Sequence, residues 1–342
     1  MQNLSASYGG VSLDNSNSEI YPSQDAKFVR FAARRSPVHS TKGIVSCTQP
    51  LAARAGVRIL EQGGNAADAA VATAAALNMT EPSSTGIGGD MFCLFYNGKT
   101  RKTHAMNGSG RSPGKWAMEQ IKQDLGIPAD QEGLMPFTKV QAVTVPGAAA
   151  GWVDTVERFG NGKLGLKEIL QPAIDLGEEG FPVSELSGFF WQSGEKLIKG
   201  ASPNFAEMLK TDKSAKQGCR APRPGELFSN PQLAKTFRSL AEHGKKGFYE
   251  GRIADAIVKV VDDLGGRLDH DDLRHHAEVG SEDVESISLK YDGQGIPEPV
   301  ELWEHPPNGQ GLVALITLGL FRELERAGKI PQFKPKDHNQ PE

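Results

Sequence analysis

Between Gly63 and Asp90 the chain is built from alanine, glycine and small polar residues, and this run constrains the fold more than any other. Residues 66 to 76 are mostly alanine. A helix placed there presses against a sheet or a second helix with little side-chain volume between. Glu81-Pro82 stops it, because proline disfavours helical geometry in the residue before it. Gly86-Ile87-Gly88-Gly89 then permits positive φ and close backbone approach, and an apolar run follows from Met91 to Tyr96. Asn97-Gly98, between that run and a second one near Thr103 to Met106, is a strong hairpin signal. The predicted order is close-packed helix, glycine turn, buried strand, tight turn, strand.

Further along, Gly43–Cys47 reads as a first strand and Leu51–Leu60 as a helix with apolar residues at helical spacing, closed by Gly63-Gly64. Residues 115–137 are charged and irregular. Helices are predicted at Ala148–Phe159 and Lys167–Glu179, with Pro172 tolerated near a first turn. Residues 184–245 read as polar and mainly helical, Ile253–Leu264 as an amphipathic helix, 284–291 and 300–304 as strands, and a last helix runs to Ala327. Mixed elements of this kind indicate an α/β or α+β chain. Residues 1–35, rich in Ser, Asn, Asp and Gly, are expected to form a disordered arm. Residues 36–330 form the folded domain, and 331–342 a polar tail that resembles a loop cut mid-way.

Composition removes several classes of function. The formal net charge is −4 over 342 residues, so no cationic field for nucleic acid is expected. Cys47, Cys93 and Cys219 are widely spaced and form no metal-binding pattern. The longest apolar stretch, Leu312–Phe321, is shorter than the ~18 residues of a membrane span. The start of the chain has no secretory apolar region. The expectation is a soluble, cytoplasmic chain with neither nucleic acid nor membrane as partner. Gly86-x-Gly88-Gly89 is no dinucleotide fingerprint, since Met91 stands at its third glycine position, and Gly98-Lys99-Thr100 lacks the leading glycine of a phosphate loop. No G-x-S-x-G elbow occurs. His270-Asp271-Asp272-Leu273-Arg274-His275-His276 offers metal-binding side chains, but it reads as a solvated helix start, with acids at the positive end of the macrodipole.

The segment from Gly63 to Asp90 resembles the large-subunit signature of the γ-glutamyltranspeptidases, a family of N-terminal-nucleophile hydrolases. Four further stretches stand in the order that family shows: Ala142–Trp152, Glu178–Val183, Lys246–Gly251 and Pro306–Gly311. The resemblance implies the large-subunit part of an αββα sandwich, incomplete without a downstream half. It also implies hydrolysis or transfer of γ-glutamyl groups from glutathione and other γ-glutamyl amides. The family's nucleophile is a threonine made N-terminal by autocleavage, whose own α-amine, with a pKa of about 7.7–8.0, serves as general base. A γ-glutamyl ester forms, and water or an acceptor amine resolves it. No metal or organic cofactor is needed.

Asn107-Gly108-Ser109-Gly110-Arg111-Ser112-Pro113 is the strongest candidate for substrate contact. In well-known members of the family an arginine four residues before the proline binds the α-carboxylate of the γ-glutamyl group. Ser109 stands at that place here, and Arg111 lies two residues later. In an extended segment both side chains share a face, with about 7 Å between their α-carbons, and an arginine can bridge that gap to grip a carboxylate. The motif is closer to the divergent, acylase-like branch of the family. A structural salt bridge is the alternative role for Arg111. Asn308 and Gln310 are candidates to line the cleft, but they read first as part of a tight strand-to-helix turn, which needs glycine and proline anyway. The threonine of the family opens a Thr-Thr pair downstream of the Pro-Pro-Asn-Gly turn, and these 342 residues contain no such pair. Thr85, in the glycine turn, is read as structural. No catalytic residue is therefore expected in the chain, which by itself should be inactive. An amidase acting on dicarboxylic acyl amides, or a non-catalytic partner of a separate small subunit, are the alternatives.

Overall fold

A computed structural model describes residues 37–293 and 298–330; the arm expected at 1–35 and the tail at 331–342 lie outside the described residues. The helices are α1 (Pro50–Glu61), α2 (Ala66–Thr80), α3 (Met118–Leu125), α4 (Ala148–Phe159), α5 (Leu166–Glu179), α6 (Glu185–Ala201), α7 (Pro231–His243), α8 (Lys246–Tyr249), α9 (Gly251–Asp263), α10 (His270–Val279) and α11 (Gly311–Arg326). The strands are β1 (Met91–Asn97), β2 (Lys102–Gly108), the short β3 (Phe181–Pro182), β4 (Lys210–Thr211), β5 (Cys219–Arg220) and β6 (Leu227–Phe228), then β7 (Glu282–Val284), β8 (Ile287–Tyr291) and β9 (Val300–Glu304).

The alanine run forms α2 as its composition demands. Asn65 opens the helix: its Oδ1 accepts from the amides of Ala67 and Asp68 at 3.0 and 3.1 Å, while Asp68 Oδ2 accepts from the Asn65 amide at 2.8 Å, a reciprocal capping box. Ala67, Ala69, Val71, Ala72, Ala75, Ala76 and Met79 are all buried, because α1, α4 and α5 all pack against this one helix. Small side chains allow the approach. A Cβ added to Gly56 of α1 would run into Thr73 of α2.

Behind α4 lies the main sheet, in the order β1-β2-β7 and antiparallel throughout. Ala105 and Met106 of β2 are buried, and Phe95 of β1 stacks on Phe159 of α4 with ring centroids 4.9 Å apart. The alternate residues Phe92, Leu94 and Tyr96 are exposed, as the period of two in a strand requires. The mixed α/β class is as expected, and the helices over one sheet face supply one half of an αββα arrangement. Beyond the sheet, the core continues through Trp152 against Phe237 and Trp191 against Phe228, at 5.7 and 4.7 Å between centroids.

Four details depart from the sequence reading. Gly43–Cys47 has no regular structure and pairs with no strand among the described residues; Val45 instead packs towards Gly56 of α1. The hairpin turn spans four residues, Gly98–Arg101, since Asn97 pairs with Lys102. Asn97 Oδ1 accepts from the amides of Lys99 and Thr100, and the positive φ falls on Arg101 at 54°. Helix α3 forms within the stretch read as irregular. Pro172 lies well inside α5, past its first turn. The backbone bond it forgoes is offset by burial of its neighbours Ile169, Leu170, Ala173 and Ile174.

Helices α2, α5 and α7 meet at Gly177, where an added Cβ would lie 2.6 Å from Met79 Cε and 2.9 Å from Ala234 Cβ. Gly177→Val is expected to lower stability by about 1–3 kcal/mol, the usual cost of overpacking, read as a lower urea midpoint with an unchanged slope.

Candidate functional site

The end of β2 is fixed by backbone contacts from segments distant in sequence. The amides of Gly147 and Ala148, at the start of α4, both donate to the carbonyl of Gly89, at 3.0 and 2.8 Å. The Gly110 amide donates to Asp90 Oδ1 at 2.7 Å, and the Val145 amide to the Arg111 carbonyl at 2.9 Å. Side chains would obstruct this meeting: a Cβ on Gly110 would strike the Val145 carbonyl, and one on Gly147 the Gly108 carbonyl. Tyr249 secures the same corner, donating to the Pro146 carbonyl at 2.6 Å and accepting from the Ala150 amide at 3.0 Å. Burial pushes its phenol well above the usual range.

On this frame Ser109 and Arg111 point to different partners. Ser109 Oγ accepts from Asn308 Nδ2 at 3.0 Å, so the Pro306–Gly311 turn reaches the end of β2 across 199 positions of sequence. His305 lies beneath, its Nε2 at 3.1 Å from the Met106 carbonyl and its ring 4.9 Å from Phe92. Arg111 turns towards α10 and β7. Its Nη1 lies 2.8 Å from His276 Nδ1 and 3.4 Å from the Gly280 carbonyl, and its Nη2 contacts Glu282 Oε1 at 2.5 Å. The salt bridge weighed as its alternative role is therefore present.

His276 is fully buried. Its pKa falls from 6.5 to about 4, first because burial disfavours the charged ring and then because Arg111 stands beside it, with Lys245 adding to the depression and Asp154 opposing it. The neutral imidazole accepts from the Arg111 guanidinium. Asp154, also buried, pairs with Lys245 at 2.5 Å and accepts from the Ser281 amide at 2.8 Å, which fixes the α10–β7 turn. The histidine cluster is thus split. His270 and His275 are exposed as a solvated helix start requires, whereas His276 belongs to the site. Among the described residues no group of three or more His, Cys, Asp or Glu is placed to hold a metal ion.

Four of the sequence motifs converge here: the glycine turn, Val145–Gly147, Tyr249 and the Pro306–Gly311 turn. The Glu178–Val183 motif does not, since β3 pairs with β6 instead. Thr85 accepts from Asn78 Nδ2 at 3.1 Å within its loop. Sequence reading missed His276, Glu282 and Asp154. For His276 a signal existed: it falls three residues after the buried Leu273, on the inner face of α10.

With a folded pKa near 4 against an ordinary 6.5, His276 takes up its proton more readily in the unfolded chain. The stability it contributes is complete above about pH 6.5 and declines as pH falls towards 4. Urea unfolding near pH 7 and near pH 4.5 should differ by on the order of 2 kcal/mol from this group, and His276→Gln should flatten the difference.

The family model described as gamma-glutamyltranspeptidase matches residues 52–342. The chain is 34% identical over 288 residues to the glutathione hydrolase-like YwrD proenzyme of Bacillus subtilis (strain 168), covering 84% of this chain and 50% of the relative. Among solved structures, it matches the cephalosporin acylase from Bacillus halodurans with a TM-score of 0.69 and 39% identity, covering 90% of this chain and 54% of that one. It also matches the γ-glutamyltranspeptidase of Helicobacter pylori with a TM-score of 0.69 and 25% identity, covering 84% and 77%. The chain spans about half the length, or less, of the curated relatives it matches. A folded frame shared with both transpeptidases and acylases, and a family match over most of its residues, place this chain in the γ-glutamyltranspeptidase family of N-terminal-nucleophile hydrolases.

Proposed function

We propose that these residues form the large-subunit part of an enzyme that cleaves or transfers γ-glutamyl or related acyl amides, with Ser109 and Arg111 facing the carboxylate of the acyl group. The observation that carries this reading is the end of β2. Ser109 and Arg111 are displayed there on a backbone corner built by the glycine turn, the start of α4 and the Pro306–Gly311 turn. The Ser109 hydroxyl, already accepting from Asn308, has its own proton to donate, and Arg111 brings a fixed positive charge.

The reaction needs a nucleophile, and the motif that would carry it is not found in these 342 residues. The relatives matched over about half their length include proenzymes, which supports a second part bearing the N-terminal threonine. In that assembly the threonine hydroxyl attacks the amide carbonyl and its α-amine takes the proton, while Ser109 and Arg111 hold the far end of the acyl group. An acylase-like preference for dicarboxylic acyl amides is the second reading. It is favoured by the displacement of the arginine from position 109 to 111 and by the 39% identity to a cephalosporin acylase.

Incubated alone with a chromogenic γ-glutamyl anilide, the chain is expected to show no turnover above background; turnover by the isolated 342 residues would sink the reading. In an active assembly with the threonine-bearing part, Ser109→Ala should raise KM about 3–10-fold, the worth of one net hydrogen bond, with kcat little changed. Comparing γ-glutamyl with glutaryl anilides on that assembly separates the two substrate classes.

A further inference from the structure

Arg111 is held from two sides that differ in kind. On the inner side, Nη1 meets the buried ring of His276 at 2.8 Å and the Gly280 carbonyl at 3.4 Å. On the outer side, Nη2 meets Glu282 Oε1 at 2.5 Å, and the Glu282 side chain is 59% exposed against 28% for Arg111. The inner contacts belong to a turn fixed by Asp154 through the Ser281 amide. The outer contact is an ion pair to a solvated carboxylate, the kind that contributes little net stability.

From this asymmetry we propose that Glu282 is a resident carboxylate on the anion-binding edge of Arg111, which the acyl group's carboxylate must displace, and that it thereby sets how tightly the site holds an anionic acyl group. The inference rests on the reading of Arg111 as a substrate contact. When Glu282 swings out, His276 and Gly280 keep the guanidinium where it is, so no reorganisation of the arginine is needed. An acyl group that ends in a carboxylate exchanges one ion pair for another. A neutral acyl group of the same length has no charge with which to displace Glu282, so it leaves that ion pair in place. Glu282 therefore lowers the affinity of the site for anionic acyl groups and leaves that for neutral ones unaffected, because only the former need the guanidinium edge it occupies.

Its neighbour supplies a control for net charge. Asp283 on the same strand pairs with Arg158 at 2.6 Å, so Asp283→Asn removes the same charge without uncovering Arg111. The test is calorimetric titration of the full chain with glutarate, and with its neutral diamide, at low ionic strength. Glu282→Gln is expected to bind glutarate about 10-fold more tightly than the unmodified chain, with diamide binding unchanged and Asp283→Asn close to the unmodified chain. Equal or weaker glutarate binding by Glu282→Gln overturns the proposal while leaving Arg111 as a carboxylate contact. An equal gain in Asp283→Asn overturns it too, by assigning the effect to net charge. If neither the unmodified chain nor Glu282→Gln binds glutarate, Arg111 is no carboxylate site and both readings fall. Glu282 is largely exposed, so the variant is expected to fold, and a matching thermal unfolding midpoint verifies that.

Discussion

Two amides on one carbonyl hold the molecule's most informative corner together: Gly147 and Ala148 both donate to Gly89. A carbonyl can satisfy two donors because it has two lone pairs, but the geometry demands that the start of α4 come within bonding distance of the turn after α2. Everything nearby follows from that approach. Gly110 and Gly147 must lack side chains because backbone occupies the space. The end of β2 is then pinned from behind by Val145 and from the side by Asp90, which leaves its side chains little freedom over where they point.

Polar groups are buried around this corner, and most have partners. Asp154 is neutralised by Lys245 and takes the Ser281 amide; Tyr249 uses its hydroxyl twice. Removing one member of such a set leaves the other buried without compensation, which costs more than the pair contributes when intact. The corner is thus rigid for reasons of desolvation as well as packing. A site that must hold an acyl group against a nucleophile gains from a frame of this kind.

Much of this was legible in the sequence, and the reason differs by feature. The alanine helix, the glycine turn and both long strands follow from local rules, because α2 has almost no side chains to pack any other way and β1 alternates regularly. The turn between the strands was misjudged because the Asn97 side chain captured two amides and moved the positive φ to Arg101. Gly43–Cys47 has strand-like residues but no partner strand among the described residues, and pairing is a non-local property. Arg111 was singled out in the sequence, whereas its company was not. Its partners His276 and Glu282 stand 165 and 171 positions away, with no local pattern that links them to residue 111. Glu282 in particular looks like any solvated acid until the register of β2 with β7 sets Asn107 opposite it.

That register has a practical consequence at the far end of the same ladder. The four-residue turn at Gly98–Arg101 closes the hairpin at the opposite end of β2 from Gly108. Six residue steps along β2 separate the two ends, roughly 20 Å at the rise of an antiparallel strand. All four turn residues are exposed. A fluorophore or spin label attached there would ride on the strand that carries Ser109 without touching it, and would report by distance any shift of that strand against α4.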